Sequence, residues 1–331
     1  MKFDVFDELM IASAQLHNCL IRDGYVFTSW NDRPKVYDVL VIREPWNSVG
    51  NTRIYPVSNR SLEEHIHLID EEQIKRAEII ADDISFIRNC PLLEELSISP
   101  SHSATDGFDY SPLYEMPNIT KLSCDTVYGD KEQFSCTIDY SKLCGLKDVS
   151  VYGKGHLNYA SAESLEKLWL SNVKNTRNLH HLSQCKQIKE LAIIQCGLSA
   201  LDGIEQLEKL QSLSLWHNRS LSDISCLGSL TESLRSLDIE SCAKIKDLSC
   251  LHKLTNLEHL ELLGSNTLPD LSFLSRMDKL KTFTFSMEVA DGDLSPCMGV
   301  PYARCAKGRK WYNIKDKDLP KQVPPEPFEI I

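Results

Sequence analysis

Glycine is scarce in this chain, at 14 of 331 residues. Phosphate-cradling loops are built from glycine, and neither a G-x-x-x-x-G-K-[ST] loop nor a G-x-G-x-x-G turn occurs, so nucleotide chemistry of those kinds has no scaffold. Gly153-Lys154-Gly155-His156 carries two glycines but lacks the rest of such a cradle. H-E-x-x-H and G-x-S-x-G are also missing, which removes a zinc-protease helix and the serine nucleophile elbow. Twelve cysteines are present, yet no two are spaced C-x-x-C, the commonest zinc and dithiol signature. No run of about 18 apolar residues exists, so no membrane span is expected. Positive charge is short as well: 36 Lys and Arg face 47 Asp and Glu, for a net charge of -11. Such a chain repels phosphate backbones, and no nucleic-acid partner is expected. The one basic cluster (Lys307, Arg309, Lys310, Lys315, Lys317, Lys321) is interleaved with Asp316 and Asp318 and reads as a solvated face. Asp4, Asp7 and Glu8 stand where a secretory leader needs a basic start and an apolar core. The expected setting is therefore cytoplasmic and reducing, with free thiols.

What the chain has is a period. Leu234-x-x-Leu237-x-Ile239 recurs as Leu257-x-x-Leu260-x-Leu262, and upstream as Leu210/Leu213/Leu215 and Ile188/Leu191/Ile193. Further back come Leu165/Leu168/Leu170, Leu146/Val149/Val151, Ile119/Leu122/Cys124 and Leu93/Leu96/Ile98, with Leu280/Phe283/Phe285 downstream. These nine units step by 26, 27, 19, 23, 22, 24, 23 and 23 residues. Each L-x-x-L-x-L ends in an alternating segment, hence a short strand with one buried face. The following dozen residues suit a short helix or 3-10 turn that brings the chain back. A single unit cannot bury its apolar face, whereas stacked units share one continuous core.

The unit resembles a leucine-rich repeat, and DLSCLHKLTNLEHLEL is similar to the short bacterial, internalin-like class. The shared Asp-[Ile/Leu]-Ser motif stands at Asp83-Ile84-Ser85, Asp223-Ile224-Ser225, Asp247-Leu248-Ser249 and Asp270-Leu271-Ser272. The resemblance implies an α/β fold: a right-handed solenoid with parallel strands on the concave face and short helices or 3-10 turns on the convex face. Repeats then occupy about residues 84–286. Residues 1–83 form an amino-terminal cap, or alternatively a small separate module, with helical spacing over Phe3–Ile21, strands at Tyr25–Trp30 and Val36–Ile42, and a charged, helix-compatible run over Glu63–Ile80; the run from Ile74 to Ile87 into the first repeat without a Pro/Gly linker favours the cap. Residues 287–331 form the other cap and end in an extended tail at Val323-Pro324-Pro325-Glu326-Pro327.

Cys226, Cys242, Cys250, His252 and His259 fall within forty positions and invite a metal or thiol-centre reading. The period argues otherwise. Cys226 and Cys250 occupy one register, filled by Phe86 and Phe273 in other units, so the slot is apolar and its cysteines act as small hydrophobes. Cys90 and Cys185 take a register held elsewhere by Leu207, Leu230, Leu254 and Met277. Cys196, Asn218 and Cys242 share the slot three residues after the last strand apolar. By resemblance that is the ladder slot, whose polar group satisfies turn backbone. His65-x-His67 and His180-His181 lack further ligands nearby and read as surface pairs. Cys297 and Cys305 lie in a segment without histidine, and Cys19 and His17 would point to different faces of a helix, so neither supplies a nucleophile with its base. No catalytic residue, cofactor or metal is assigned, and no enzyme activity is expected.

The strand positions between the apolar residues face solvent and should be polar. Tyr152, Trp169, Ile194, Trp216 and Leu263 are not, and four of them fall on consecutive strands. Asp238, Glu240 and Glu261 flank them, with His259 beside Glu261. Aromatic and aliphatic side chains on a solvent face suggest a binding patch. Tyr152, Trp169, Ile194 and Trp216 would contact another protein, and Asp238, Glu240 and Glu261 would attract a basic element of it. An immunity or antitoxin protein using the same surface is an alternative, as is a glycan or peptide binder.

Overall fold

The computed structural model describes residues 19–29, 36–43, 58–101, 107–128, 134–174 and 176–322. The expected helix over Phe3–Ile21 and the proline tail lie largely outside these residues. Two compact units divide after Ala162.

The first unit opens with β1 (Leu20–Arg22) and β2 (Tyr25–Thr28) as an antiparallel hairpin, followed by β3 (Val39–Arg43) antiparallel to β2. Asp23-Gly24 makes the hairpin turn at φ 52° and 83°, the left-handed backbone that an Asp-Gly pair supplies. Helix α1 (Leu62–Glu71) then crosses to β4 (Arg76–Ala81), which pairs parallel with β3. Its start follows from Ser61-x-x-Glu64: the Glu64 N–H donates to Ser61 Oγ at 3.2 Å and the Ser61 N–H donates to Glu64 Oε2 at 2.6 Å, a reciprocal capping box. The run Glu63–Ile80 is therefore not one helix. Its second half, Arg-Ala-Glu-Ile-Ile-Ala, is buried along its length as β4, and tertiary burial outweighs helix propensity there. The parallel ladder continues through β5 (Glu95–Pro100) and β6 (Lys121–Cys124). A small pair, β7 (Val127–Tyr128) with β8 (Phe134–Ser135), follows β6, and β9 (Ile138–Asp139) pairs with a later strand, β11 (His156–Leu157). Between them β10 (Asp148–Tyr152) joins β6 in parallel.

The second unit is more regular. β12 (Lys167–Ser171), β13 (Glu190–Ile194), β14 (Ser212–Trp216), β15 (Ser236–Glu240) and β16 (His259–Leu263) pair in sequence, all parallel. After β17 (Thr267–Leu268) come β18 (Thr282–Phe285), parallel to β16, and β19 (Glu288–Val289), which pairs with β17. β20 (Tyr302–Cys305) closes the ladder against β18. All nine L-x-x-L-x-L units thus end in parallel strands. Two more parallel strands, β4 and β20, match the pattern as Ile74-x-x-Ala77-x-Ile79 and Val300-x-x-Ala303-x-Cys305, where alanine and cysteine hide the signal.

The return segments are 3-10 turns, for example Ser225–Ser229, Ser249–Lys253 and Ser272–Arg276. In each the Asp of Asp-x-Ser accepts from the serine N–H at 2.7–2.9 Å. Asp109-x-Ser111, Asp139-x-Ser141 and Asp293-x-Ser295 do the same where the neighbouring sequence departs from the repeat.

Candidate functional site

The apolar strand positions of the second unit's sheet form its buried face. Leu168, Leu170, Leu191, Ile193, Leu213, Leu215, Leu237 and Ile239 are each at most 2% exposed. The positions between them face outward in rows set by the pairing register. One row runs Trp169–Ala192–Ser214–Asp238–Glu261–Thr284–Arg304 and the next Ser171–Ile194–Trp216–Glu240–Leu263. A register slipped by one residue would bury the tryptophans, but Trp169 is 39% exposed.

The two indoles meet. Their ring centroids lie 5.5 Å apart at 78°, the edge-to-face arrangement that aromatic quadrupoles favour. Trp169 and Trp216 sit on β12 and β14, so the contact spans the intervening strand β13. There Ala192 is only 4% exposed although its side chain belongs to the outer face. A small residue at this point leaves room for the rings above it. Ile194 lies half-buried between Ser171 and Trp216 in the next row. Tyr152 belongs to the first unit and stands 46% exposed at the end of β10.

The acidic residues are directly opposed. Asp238 pairs with Glu261 in register and Glu240 lies opposite Trp216. Burial pushes the Asp238 carboxyl above the ordinary carboxylate range, a weak hydrogen bond from Ser214 Oγ at 3.3 Å opposes this, and Glu240 adds to it. Burial also raises Glu261, reinforced by Asp238 and Glu240 and opposed by Arg304. His259 is half-buried, its Nδ1 2.8 Å from Thr282 Oγ1, and burial lowers its pKa. It is thus poorly suited to serve as a cation for the carboxylates. Arg304 was outside the expected site. Val300-x-x-Ala303-x-Cys305 was the signal for it, masked by its small residues.

The thiols are structural. Cys250 is buried beneath its 3-10 turn and Cys226 is half-buried in the equivalent place, while Phe86 and Phe273 fill that register in other units. Burial pushes the two thiols up to about 11 and about 12 respectively, which suppresses the nucleophilic thiolate. Among the described residues no group of three or more His, Cys, Asp or Glu is placed to hold a metal. The histidine pairs are not uniformly on the surface. His67 is exposed beside Glu71, but His65 is 3% exposed, with Nδ1 2.7 Å from the Ser61 carbonyl and its ring edge-on to Tyr25. Position on α1 decides this, since residues two apart on a helix face different ways. His156, in the glycine loop, is also buried, between Tyr140 Oη at 3.0 Å and Thr126 Oγ1 at 3.1 Å, and burial lowers its pKa to about 4.

The ladder slot is occupied as the resemblance implies. The Cys196 N–H donates to Asn218 Oδ1 at 2.9 Å, and Asn218 Nδ2 donates back to the Ile193 carbonyl at 2.7 Å. Cys196 and Cys242 direct their thiols at the Leu170 and Leu215 carbonyls, 3.5 and 3.4 Å away. Each slot residue therefore bonds to the strand end of the repeat before it. The fold is a leucine-rich-repeat solenoid. In that solenoid the chain leaves successive strands through left-handed residues, Asn172, Gln195, His217 and Ser241, at φ 50–57°. The backbone N–H of each donates to the next repeat at 2.8–2.9 Å, which holds the strained conformation in place.

No family model and no curated protein matches the sequence. Solved leucine-rich-repeat structures do. Internalin InlF of Listeria monocytogenes is 18% identical with a TM-score of 0.49, the match covering 70% of this chain and 66% of that one. For InlJ of the same organism, whose functional domain includes a cysteine ladder, the figures are 18%, 0.47, 68% and 50%. A leucine-rich-repeat protein of Leptospira interrogans is 13% identical at a TM-score of 0.38, covering 75% and 81%. The chain thus spans just under two thirds of the first internalin and half of the second.

Proposed function

We propose that the solenoid is a non-enzymatic recognition module, working in the cytoplasm, that binds another protein on the outer strand face of its second unit. Trp169 and Trp216 anchor the partner, with Ile194 between the strands that carry them. The Trp169–Trp216 pair carries this reading: two large rings meet edge to face on a solvent-facing sheet, where polar side chains would cost less. Aromatic anchors of this kind supply much of the binding energy in protein interfaces. Tyr152 offers a further exposed aromatic on the first unit's own strand face. The test is affinity capture from the native lysate with quantitative mass spectrometry, comparing the wild type with Trp169→Ala/Trp216→Ala. A specific partner should be depleted by about tenfold or more, since each anchor contributes about 1–2 kcal/mol or more. Unchanged capture would overturn the proposal.

A further inference from the structure

Charges on the strand faces are paired almost everywhere. Lys121 meets Asp148 at 3.2 Å, Lys167 meets Glu190 at 3.1 Å, and Arg76 meets Glu95 at 2.7 Å. These are cross-strand pairs of opposite sign, the arrangement that stabilises a sheet. Asp238 and Glu261 break the pattern. They face each other across β15 and β16 as like charges, and among the described residues neither has a cation within ion-pair distance. Glu240, opposite Trp216, has only the His217 imidazole at 3.8 Å. Arg304 lies in the same row but two strands beyond Glu261. Like charges opposed on a sheet destabilise it, and partial burial adds to the cost. Among the described residues only the weak hydrogen bond from Ser214 and the more distant Arg304 offset that cost. The charge deficit borders the half-buried Trp216 of the indole pair.

We infer that the acidic end of this face receives a lysine or arginine side chain of the partner protein, held by Asp238, Glu240 and Glu261 beside the Trp216 indole. The inference rests on the recognition reading above and names the chemistry of the occupant. Neighbouring strands stand about 4.8 Å apart, so one ammonium or guanidinium can reach carboxylates on both β15 and β16. The indole adds a cation–π surface on the adjacent strand. An organic cation uses both features. A calcium ion gains nothing from an indole and needs six to eight oxygens, whereas the strand carbonyls here are committed to the ladder.

Labelled octalysine titrated by fluorescence anisotropy, with octaglutamate as control, tests the inference. Asp238→Asn/Glu261→Gln should weaken octalysine binding by about tenfold or more, the range for removing a half-buried charge partner. Glu232→Gln/Asp278→Asn makes the same charge change at exposed positions away from the face and should change binding by less than about twofold, the limit for screened surface charges. The Asp238→Asn/Glu261→Gln protein should also melt higher than wild type, because a repulsion has been removed. No octalysine binding, equal loss in the two variants, or a lower melting point in Asp238→Asn/Glu261→Gln overturns the inference. It is also overturned if calcium chloride raises the wild-type melting point but not that of Asp238→Asn/Glu261→Gln, which makes a metal the occupant. Wild-type self-association abolished by that variant in sedimentation makes a second copy the occupant, with the same consequence. If Trp169→Ala/Trp216→Ala loses the captured partner while Asp238→Asn/Glu261→Gln keeps it, the recognition reading stands and the cation does not.

Discussion

Asn218 shows how much one side chain can hold in a repeat. It is fully buried and serves two backbone groups of the preceding repeat, the Cys196 N–H and the Ile193 carbonyl. Asn218→Ala would leave both buried and unpaired. The expected loss is about 2–4 kcal/mol, from roughly 1–3 kcal/mol per orphaned group, read from the shift in a urea unfolding curve at constant slope. Asn218→Cys should lose clearly less, because Cys196 and Cys242 reach the corresponding carbonyls with a thiol. An alanine variant as stable as wild type would show that the slot is not a structural ladder. The slot itself was legible in the sequence, since Cys196, Asn218 and Cys242 repeat in register. The direction of each bond was not, because it depends on the neighbouring repeat.

At the scale of the element, the turn is what repeats most faithfully. Asp83, Asp109, Asp139, Asp223, Asp247, Asp270 and Asp293 each cap the N–H of a serine two residues on. This is an Asx turn, and each stands at the start of a 3-10 segment. Five of the seven fit Asp-[Ile/Leu]-Ser, although Asp293-Leu294-Ser295 lies beyond the repeats read from the sequence; Asp109 and Asp139, each followed by tyrosine, became clear only when the chain was seen to turn there. Bonds from Ser249 hold the Asp247 carboxyl below its usual range. A carboxyl depressed in the folded state contributes stability that is present above its unfolded pKa and is lost as pH falls through the folded value. Asp247→Ala should therefore melt lower than wild type at neutral pH, and the gap should close in acid. Asp247→Asn, which keeps the acceptor oxygen, should retain most of the stability near neutrality. A gap independent of pH would separate the effect from the charged cap. Asp238 and Glu261 have the opposite sign: their raised pKa values make the face more stable protonated and less so as pH rises through those values.

At the scale of the molecule, each unit carries its own parallel ladder over a core of leucine and isoleucine. Cysteine belongs to that core. Nine of the twelve thiols are buried, Cys19 and Cys226 are half-buried, and Cys144 alone is exposed. Burial pushes Cys19 up to about 11 and Cys226 to about 12, which slows thiolate chemistry. A native titration with a chromogenic disulfide should therefore show one fast thiol, abolished by Cys144→Ser, with the rest reacting only on unfolding. Several fast thiols in the native state would mean that the turn-side slots are open.

The period, the strand faces, the apolar cysteine slot and the ladder slot follow from the sequence, because each is a local rule that recurs in register from unit to unit and repetition averages out exceptions. Three things needed the tertiary structure. β4 and β20 extend the ladder because small residues there are covered by neighbours, so Ala77 and Ala303 are fully buried without a leucine signal. His65 and His156 are buried because α1 and the glycine loop fold them inward, which no spacing reveals. The indole contact and the opposed carboxylates depend on which residue stands across each strand, and register between strands is a non-local property. The sequence places Trp169, Trp216, Asp238 and Glu261 on one face, but only the pairing of β12 through β16 joins the rings and opposes the charges.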